Sequence, residues 1–293
     1  MQQKKRRFTA LDLLAILIIV GVASYVGYRL FLSLNYKWNW TIIPTYLVRF
    51  DAERQAWTTN ILLEGFFTTL RLSVWGMLVA VLLGGVMGML RIAKRPVFRL
   101  ISLSYVELTR NTPPVVLVFI FYYFVSDQIL PIFGIEELFR SASPEVQEKL
   151  SWIIAKPEML TVFLSGVLTI GIFQGAYITE IIRAGIQSVP AGQWEASSAQ
   201  GLSWLQQMRH VIMPQATKVM LPPLGNEFIN TIKYSSICSI ISIQELTFQG
   251  LQVISTTQAS IEIWLTISLM YLVVCFSLSL IVSKLEKKVQ IAE

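Results

Sequence analysis

Five polar residues within one otherwise apolar stretch, Asn226, Glu227, Asn230, Lys233 and Tyr234, have the types and spacing to handle a small charged solute. Asn226, Asn230 and Lys233 recur at i, i+4 and i+7, and Glu227, Asn230 and Tyr234 at i, i+3 and i+7, so a helix gathers them into one stripe. Hydrocarbon cannot host that stripe, because taking a lysine and a glutamate out of water costs several kcal/mol or more. It must face protein or a wet cavity, and packing between helices accounts for part of it. Glu227 and Lys233 present both signs of charge, which is what a zwitterion requires. Gln174, deep in another apolar run, is a further candidate for a group facing a cavity. The single histidine, His210, and the two cysteines, Cys238 and Cys275, lack metal-ligand spacing, so neither a metal site nor a disulfide framework is expected. No Gly-x-x-x-x-Gly-Lys-Ser/Thr loop occurs, so the chain has no phosphate cradle of that kind with which to hydrolyse ATP.

The elements that must hold these groups are membrane helices. The 293-residue chain is 54% hydrophobic and only 14% charged, the composition of an integral membrane protein. Six apolar runs, at about residues 11–34, 66–90, 100–130, 159–186, 224–243 and 263–282, are each long enough to cross a bilayer as a helix. The first is expected to stay as an anchor, since the flank Lys4, Lys5, Arg6 and Arg7 is basic and no convincing cleavage site follows. Arg91, Lys94, Arg95 and Arg99 follow the second run, and Lys284, Lys287 and Lys288 the last. Acidic or neutral segments, one bearing Trp38, Trp40 and Trp57, alternate with these basic ones, which places both termini in the cytoplasm. The same flanks account for the net charge of +6 without a nucleic-acid partner.

Within the runs, Gly84 and Gly88 form a small-xxx-small pair for close helix packing. Pro113-Pro114 predicts a kink. Glu107 with Arg110, and Glu180 with Arg183, are spaced to pair across one helix face, a reading preferred to a substrate role. Ser143-Pro144-Glu145 starts an amphipathic outer helix, either a brace lying on the membrane or a docking surface for a binding protein. Residues 246–254 read as a short re-entrant or surface helix.

One polar passage between the fourth and fifth runs reads as ordered structure. Pro190 suits a first helical turn, Ala191 to Gln200 are good helix formers, and Gly201 is the natural left-handed residue to end the helix. Ser203 and Gln206 are spaced as a capping box for a second helix, with Leu205, Met208 and Ile212 on one face until Pro214. Glu195-Ala196-Ser197, then Gly201, then Val211-Ile212-Met213-Pro214 resembles the EAA signature of bacterial ABC-importer permeases at its full spacing. Ser197, Val211 and Met213 are conservative departures from alanine, isoleucine and leucine.

The run Glu107-Leu108-Thr109-Arg110-Asn111-Thr112-Pro113 and the stretch from Gly175 to Pro190 resemble the polar amino-acid branch of that family. Leu117 stands where the branch commonly has glutamine, so a polar contact is absent there. Asn226-Glu227-Phe228-Ile229, with Lys233 and Ser235-Ser236, also follows the family pattern, which argues for a pathway without selecting a substrate.

The resemblance implies an all-α integral membrane protein with six transmembrane helices. Residues 66–288 would form the type I importer permease domain with its five-helix core, preceded by an extra helix and external loop in 1–65 and followed by a cytoplasmic tail, 289–293. Residues 190–214 would be the cytoplasmic coupling region, with Glu195, Ala196, Ser197, Gly201 and Pro214 meeting a groove on a separate ATPase. Gln174, Asn226, Glu227, Asn230, Lys233 and Tyr234 are the candidates for the substrate pathway. The implied partners are ABC ATPase subunits, a second permease subunit, identical or homologous, a periplasmic or lipoprotein substrate-binding protein, an amino acid and membrane lipid. ATP and Mg would be bound by the ATPase, with no cofactor in this chain, at the bacterial plasma membrane. The alternatives are an ion-coupled secondary carrier or channel, which would not need the coupling hairpin and would be expected to show inverted halves, and a membrane scaffold that does not transport.

Overall fold

The computed structural model describes residues 10–33, 36–53 and 55–291. The basic flank Lys4, Lys5, Arg6 and Arg7, the end of the first run at Leu34, and residues 292–293 of the expected tail lie outside the described residues. Helix α1 (Ala10–Ser33) coincides with the first apolar run and belongs to a unit of its own, residues 1–40, in which Trp38 and Trp40 stack at 5.8 Å.

The second unit, residues 41–293, opens with α2 (Ile42–Leu47) and a small antiparallel hairpin, β1 (Val48–Asp51) and β2 (Ala56–Thr59), with Val48 opposite Thr59. This hairpin departs from an all-α expectation. Asn60 then ties α2 to the next helix, its Oδ1 accepting from Ile61 N at 2.9 Å while its Nδ2 donates to Thr45 O at 2.6 Å. That cap starts α3 (Ile61–Arg91) more than a turn earlier than hydropathy alone places it.

The third apolar run is broken rather than kinked. Helix α4 (Pro96–Arg110) and helix α5 (Pro114–Phe121) meet at 107°, because Pro114 forbids the helical conformation at Pro113, which is extended (φ −57°, ψ 134°). Next come α6 (Ile135–Arg140) and α7 (Pro144–Ile153), the latter starting at the predicted Ser143-Pro144-Glu145 signal. Helix α8 (Leu160–Gln187) fills the fourth run.

The polar passage supplies α9 (Ala191–Ala199) and α10 (Trp204–Gln207). Helix α11 (Met213–Tyr234) was expected to begin behind Pro222-Pro223, yet it carries both prolines inside it. Helix α12 (Leu246–Thr257) was expected at a surface or as a re-entrant piece. It buries Leu246, Gln249, Gly250 and Val253, and Leu246 and Val253 share a core with Ile263 and Ile267 of α13 (Ser260–Ile291). Among the described helices α1, α3, α8 and α13 are long and apolar enough to cross a membrane. Two bent pairs, α4 with α5 and the α10–α11 run with α12, raise the number to six if each spans once.

The centre of the fold is the pair α3 and α8. Gly76, Ala80, Gly84 and Gly88 are buried at four-residue intervals along α3, and a Cβ on Gly76, Gly84 or Gly88 would stand 2.7 Å from a methyl of Ile170, Ile178 or Ile182 respectively. The predicted Gly84/Gly88 contact is thus part of a longer ladder, in which absent side chains let the helix backbones approach.

Arg71 on α3 holds α7. Its Nη1 donates to Ser151 O at 2.5 Å and lies 3.4 Å from Trp152 O, while Trp75 Nε1 donates to Ile153 O at 2.9 Å. These donors satisfy carbonyls at the C-terminal end of α7 that have no partner within their own helix. A charge-assisted bond of this kind is worth about 1.5–3 kcal/mol, so Arg71→Gln is expected to speed amide exchange in α7 about tenfold or more while leaving α8 unchanged. Equal exchange in both helices of the variant would show that α7 is held by something else.

Candidate functional site

Two groups of residues carry the functional expectations, and one helical run joins them. Helix α10 passes into α11 through a wide turn, Met208–Ile212, in which Met213 N–H bonds to Met208 O, five residues back. Pro214 therefore does not end the second short helix as expected. It lies inside the continuous helical run, as the second residue of α11, directly after the wide turn.

In the polar group, the stripe is formed along α11 and its outer edge is open. Asn226 and Lys233 are exposed, Glu227 and Asn230 are half-buried, and Lys233 Nζ donates to Asn230 Oδ1 at 3.4 Å. Tyr234 lies edge-on to Phe173 of α8 at 5.3 Å. Gln174 lies behind the stripe and is fully buried, its Nε2 donating to Thr231 Oγ1 at 3.0 Å and reaching Glu227 O at 3.5 Å. Its Oε1 has no hydrogen-bond partner among the described residues. Gln174 thus links α8 to the backbone of the helix that carries Glu227.

Arg110 joins this group, which the sequence reading missed by pairing it with Glu107. Glu107 instead accepts from Asn111 Nδ2 at 2.9 Å, and the Arg110 guanidinium lies over the Tyr177 ring, 5.0 Å from its centroid. The cause is the sharp break after α4, which turns its last residue toward α8. Tyr177 in turn packs edge-on to Phe173 at 5.3 Å, so Arg110, Tyr177, Phe173 and Tyr234 form one chain of contacts beside the stripe. The other predicted pair forms: Arg183 Nη2 stands 2.7 Å from Glu180 Oε2, and Arg91 Nε of α3 stands 3.4 Å from Glu180 Oε1.

In the second group, α9 ends as its sequence predicts. Gly201 has φ +75°, Gly201 N–H bonds to Ser198 O at 2.9 Å and Leu202 N–H to Ser197 O at 3.3 Å, which together close the helix in a Schellman motif. Gln206 Oε1 accepts from Ser203 N at 2.8 Å, completing the predicted capping box. Gln207 Nε2 braces the turn, donating to Leu202 O at 2.8 Å and Ser198 Oγ at 3.1 Å.

Of the expected coupling residues, Ser197 is buried, its hydroxyl donating to Trp194 O at 2.9 Å, whereas Glu195, Ala196, Gly201 and Pro214 are exposed. Met208 and Ile212 pack inward with Ile186 and Met220. Leu205 does not share their buried face and is 68% exposed.

A buried carboxylate with no sequence-level prediction lies at the start of α12. Glu245 is fully buried, its Oε1 accepting from Phe248 N at 2.8 Å and its Oε2 from Tyr271 Oη at 3.0 Å. Thr69 Oγ1 lies 3.4 Å from Glu245 Oε2 and accepts from Leu246 N at 3.1 Å, so this clasp joins α3, α12 and α13. The only signal for it was an acid before an apolar run, and glutamate is not a favoured capping residue.

Residues 76–291 match the family described as binding-protein-dependent transport system inner membrane component. The chain is 32% identical over 228 residues to the probable glutamine ABC transporter permease protein GlnM of Bacillus subtilis, covering 78% of this chain and 93% of that protein. It is 30% identical over 260 residues to the glutamate/aspartate import permease protein GltJ of Escherichia coli, covering 88% of this chain and 97% of that protein. Among solved structures, an amino acid ABC transporter crystallised with histidines matches with a TM-score of 0.62 and 32% identity over 78% of this chain and 94% of that one. The MetNI methionine ABC transporter, in an inward-facing conformation, shares the fold at a TM-score of 0.59 and 15% identity, over 78% of this chain and 96% of that one. Fold and sequence agree, and the chain belongs to the family of binding-protein-dependent transport system inner membrane components, as a multi-pass ABC-importer permease subunit.

Proposed function

We propose that this protein carries an amino acid across the bacterial inner membrane as half of an alternating-access pathway, driven by ATP hydrolysed on a separate subunit. The observation that carries this reading is the single helical run that begins at the capping box of Ser203 and ends at Lys233 and Tyr234. It joins the exposed small-residue face of α9 directly to the polar stripe, as an importer needs if motion at an ATPase is to reach a solute. An ion-coupled carrier has no use for that arrangement, and the family membership favours the ATP-driven mechanism.

In this reading Glu195, Ala196, Gly201 and Pro214 meet the ATPase, Ser197 fixes α9 from within, and ATP with Mg is held by that partner. Glu227 receives the ammonium of the substrate, and Lys233 and Arg110 its carboxylate. Asn226, Asn230 and Tyr234 shape the pocket, and the unpaired Oε1 of Gln174 adds a hydrogen-bond acceptor behind them. The open edge of the stripe faces a second permease subunit, identical or homologous. A periplasmic or lipoprotein binding protein delivers substrate to the face opposite α9, and both termini are cytoplasmic. Relatives named for glutamine and for glutamate or aspartate point to polar amino acids as the substrate class.

The test is uptake of labelled amino acids into proteoliposomes holding this chain with its ATPase and binding protein. ATP-dependent accumulation of a polar amino acid is the expected result, whereas uptake by the chain alone on an ion gradient would overturn the reading. Glu227→Gln and Lys233→Gln each remove one charged contact, worth about 1.5–3 kcal/mol, and are expected to raise the apparent KM about 10- to 100-fold. Unchanged uptake kinetics would return both residues to helix packing.

A further inference from the structure

A cavity of about 550 Å³ lies at the end of α3 far from the coupling passage. Its walls come from the β1–β2 hairpin, the first turns of α3, the end of α7 and the start of α12. Thr68 lines it, whereas Trp194 of α9 and Met208 of the wide turn share a cluster with Met89 and Ile92, so the two places are separated by roughly 30 Å of helix at 1.5 Å per residue. None of the stripe residues lines it.

The lining has three features of a site for a small amphipathic ion. Arg49, Arg71 and Lys156 line the same space as Asp51 and Glu64, so both signs of charge are offered. The floor is apolar, with Met159 and the buried Phe163. Gln249 also lines the cavity; it is 5% exposed, and its Oε1 has no hydrogen-bond partner among the described residues. Leaving a buried amide oxygen unpaired costs about 1–3 kcal/mol, which a ligand N–H recovers. A volume of about 550 Å³ is within the usual range of small-molecule sites.

We propose that this cavity is a second, outer site for a free α-amino acid, whose ammonium meets Glu64 or Asp51, whose carboxylate meets Arg49 or Lys156, and whose side chain enters toward Gln249 and the apolar floor. A multiply charged anion is disfavoured by the two carboxylates, and a purely apolar ligand by the five charged side chains of the lining, among which Arg71 is engaged with the end of α7. Ile243 and Gln244, which precede α12, are also part of the wall, so an occupant touches the same chain segment that continues from α11. The source of the ligand rests on the importer reading, and the charge pattern of the site does not.

The test uses the purified permease–ATPase complex in lipid nanodiscs, with Ser151→Cys as a reporter in the cavity wall. Its labelling by a polyethylene-glycol maleimide is timed with and without L-glutamine, L-glutamate and L-histidine, and the wild-type complex gives the background from Cys238 and Cys275. Labelling slowed about tenfold when an amino acid stands at ten times its dissociation constant is the expected result. Gln249→Leu and Lys156→Gln in this background are expected to weaken that protection at least fivefold, and Glu227→Gln to leave it intact. Protection that disappears with Glu227→Gln, or that no amino acid produces, overturns the site. So does slow labelling set by phosphatidylethanolamine in the nanodisc and insensitive to amino acids, which would assign the cavity to a lipid headgroup. ATP-driven uptake by the parent complex is measured in parallel. Uptake without protection removes the outer site alone, and protection without uptake removes the importer reading alone.

Discussion

Gly84→Leu is expected to leave little of this subunit in the membrane, whereas Gly85→Leu, one residue away, is expected to accumulate normally. At position 84 a Cβ would stand 2.7 Å from Ile178 Cγ2 and 2.9 Å from Gly175 O, and at position 85 it meets nothing within 4 Å. An isoleucine can change rotamer, but a backbone oxygen in the middle of α8 cannot move without moving the helix. Overpacking costs about 1–3 kcal/mol where side chains can yield, and the cost is larger where two backbones must part. Since Gly76, Ala80 and Gly88 sit in the same row, parting the helices at Gly84 loosens the neighbouring contacts as well. The amount of membrane-inserted protein and its melting temperature in detergent test this, and equal values for the two variants would refute the ladder.

The second large effect concerns uptake rather than stability. Gly201→Val is expected to insert normally and to lose ATP-driven uptake, with Gly201→Asn retaining most of it. No atom would touch a Cβ at position 201, so the effect is conformational. The φ of +75° costs an L-residue about 1–2 kcal/mol, more for a β-branched one, while asparagine adopts this region readily. Valine therefore opens the Schellman turn and turns α9 away from the capping box at Ser203. Glu195→Arg, on the exposed face of α9, is expected to give the same loss with the turn intact. Normal uptake in Gly201→Val and Glu195→Arg would dissociate this passage from the ATPase.

Where residues signal to near neighbours in sequence, the fold was legible. Ser143-Pro144, Gly201, and the Ser203 and Gln206 box each appear where their local chemistry demands, and Gly84 with Gly88 announced the close packing of α3. The errors came from contacts between elements distant in the chain. Prolines at 214, 222 and 223 read as boundaries, yet packing of Ala216 and Met220 against Ile186 holds the helix through them. The hairpin has strands of four residues and no Asn-Gly or Asp-Gly turn, too little alternation to separate from a loop. Arg110 was paired with Glu107 by spacing alone, which carries no knowledge of the Tyr177 ring on another helix. Glu245 depends on Thr69 and Tyr271, which no local pattern can bring to it.

Carrying Pro222 and Pro223 inside α11 has a mechanical consequence. The prolines supply no N–H to the carbonyls of Lys218 and Val219, so the backbone bends there more readily than elsewhere in the run. The helix from Trp204 to Lys233 is then two arms joined at a hinge, roughly 27 Å and 15 Å long at 1.5 Å per residue. Under the proposed coupling, such a hinge lets the arm that carries Glu227 and Lys233 change its tilt without the other arm following in full.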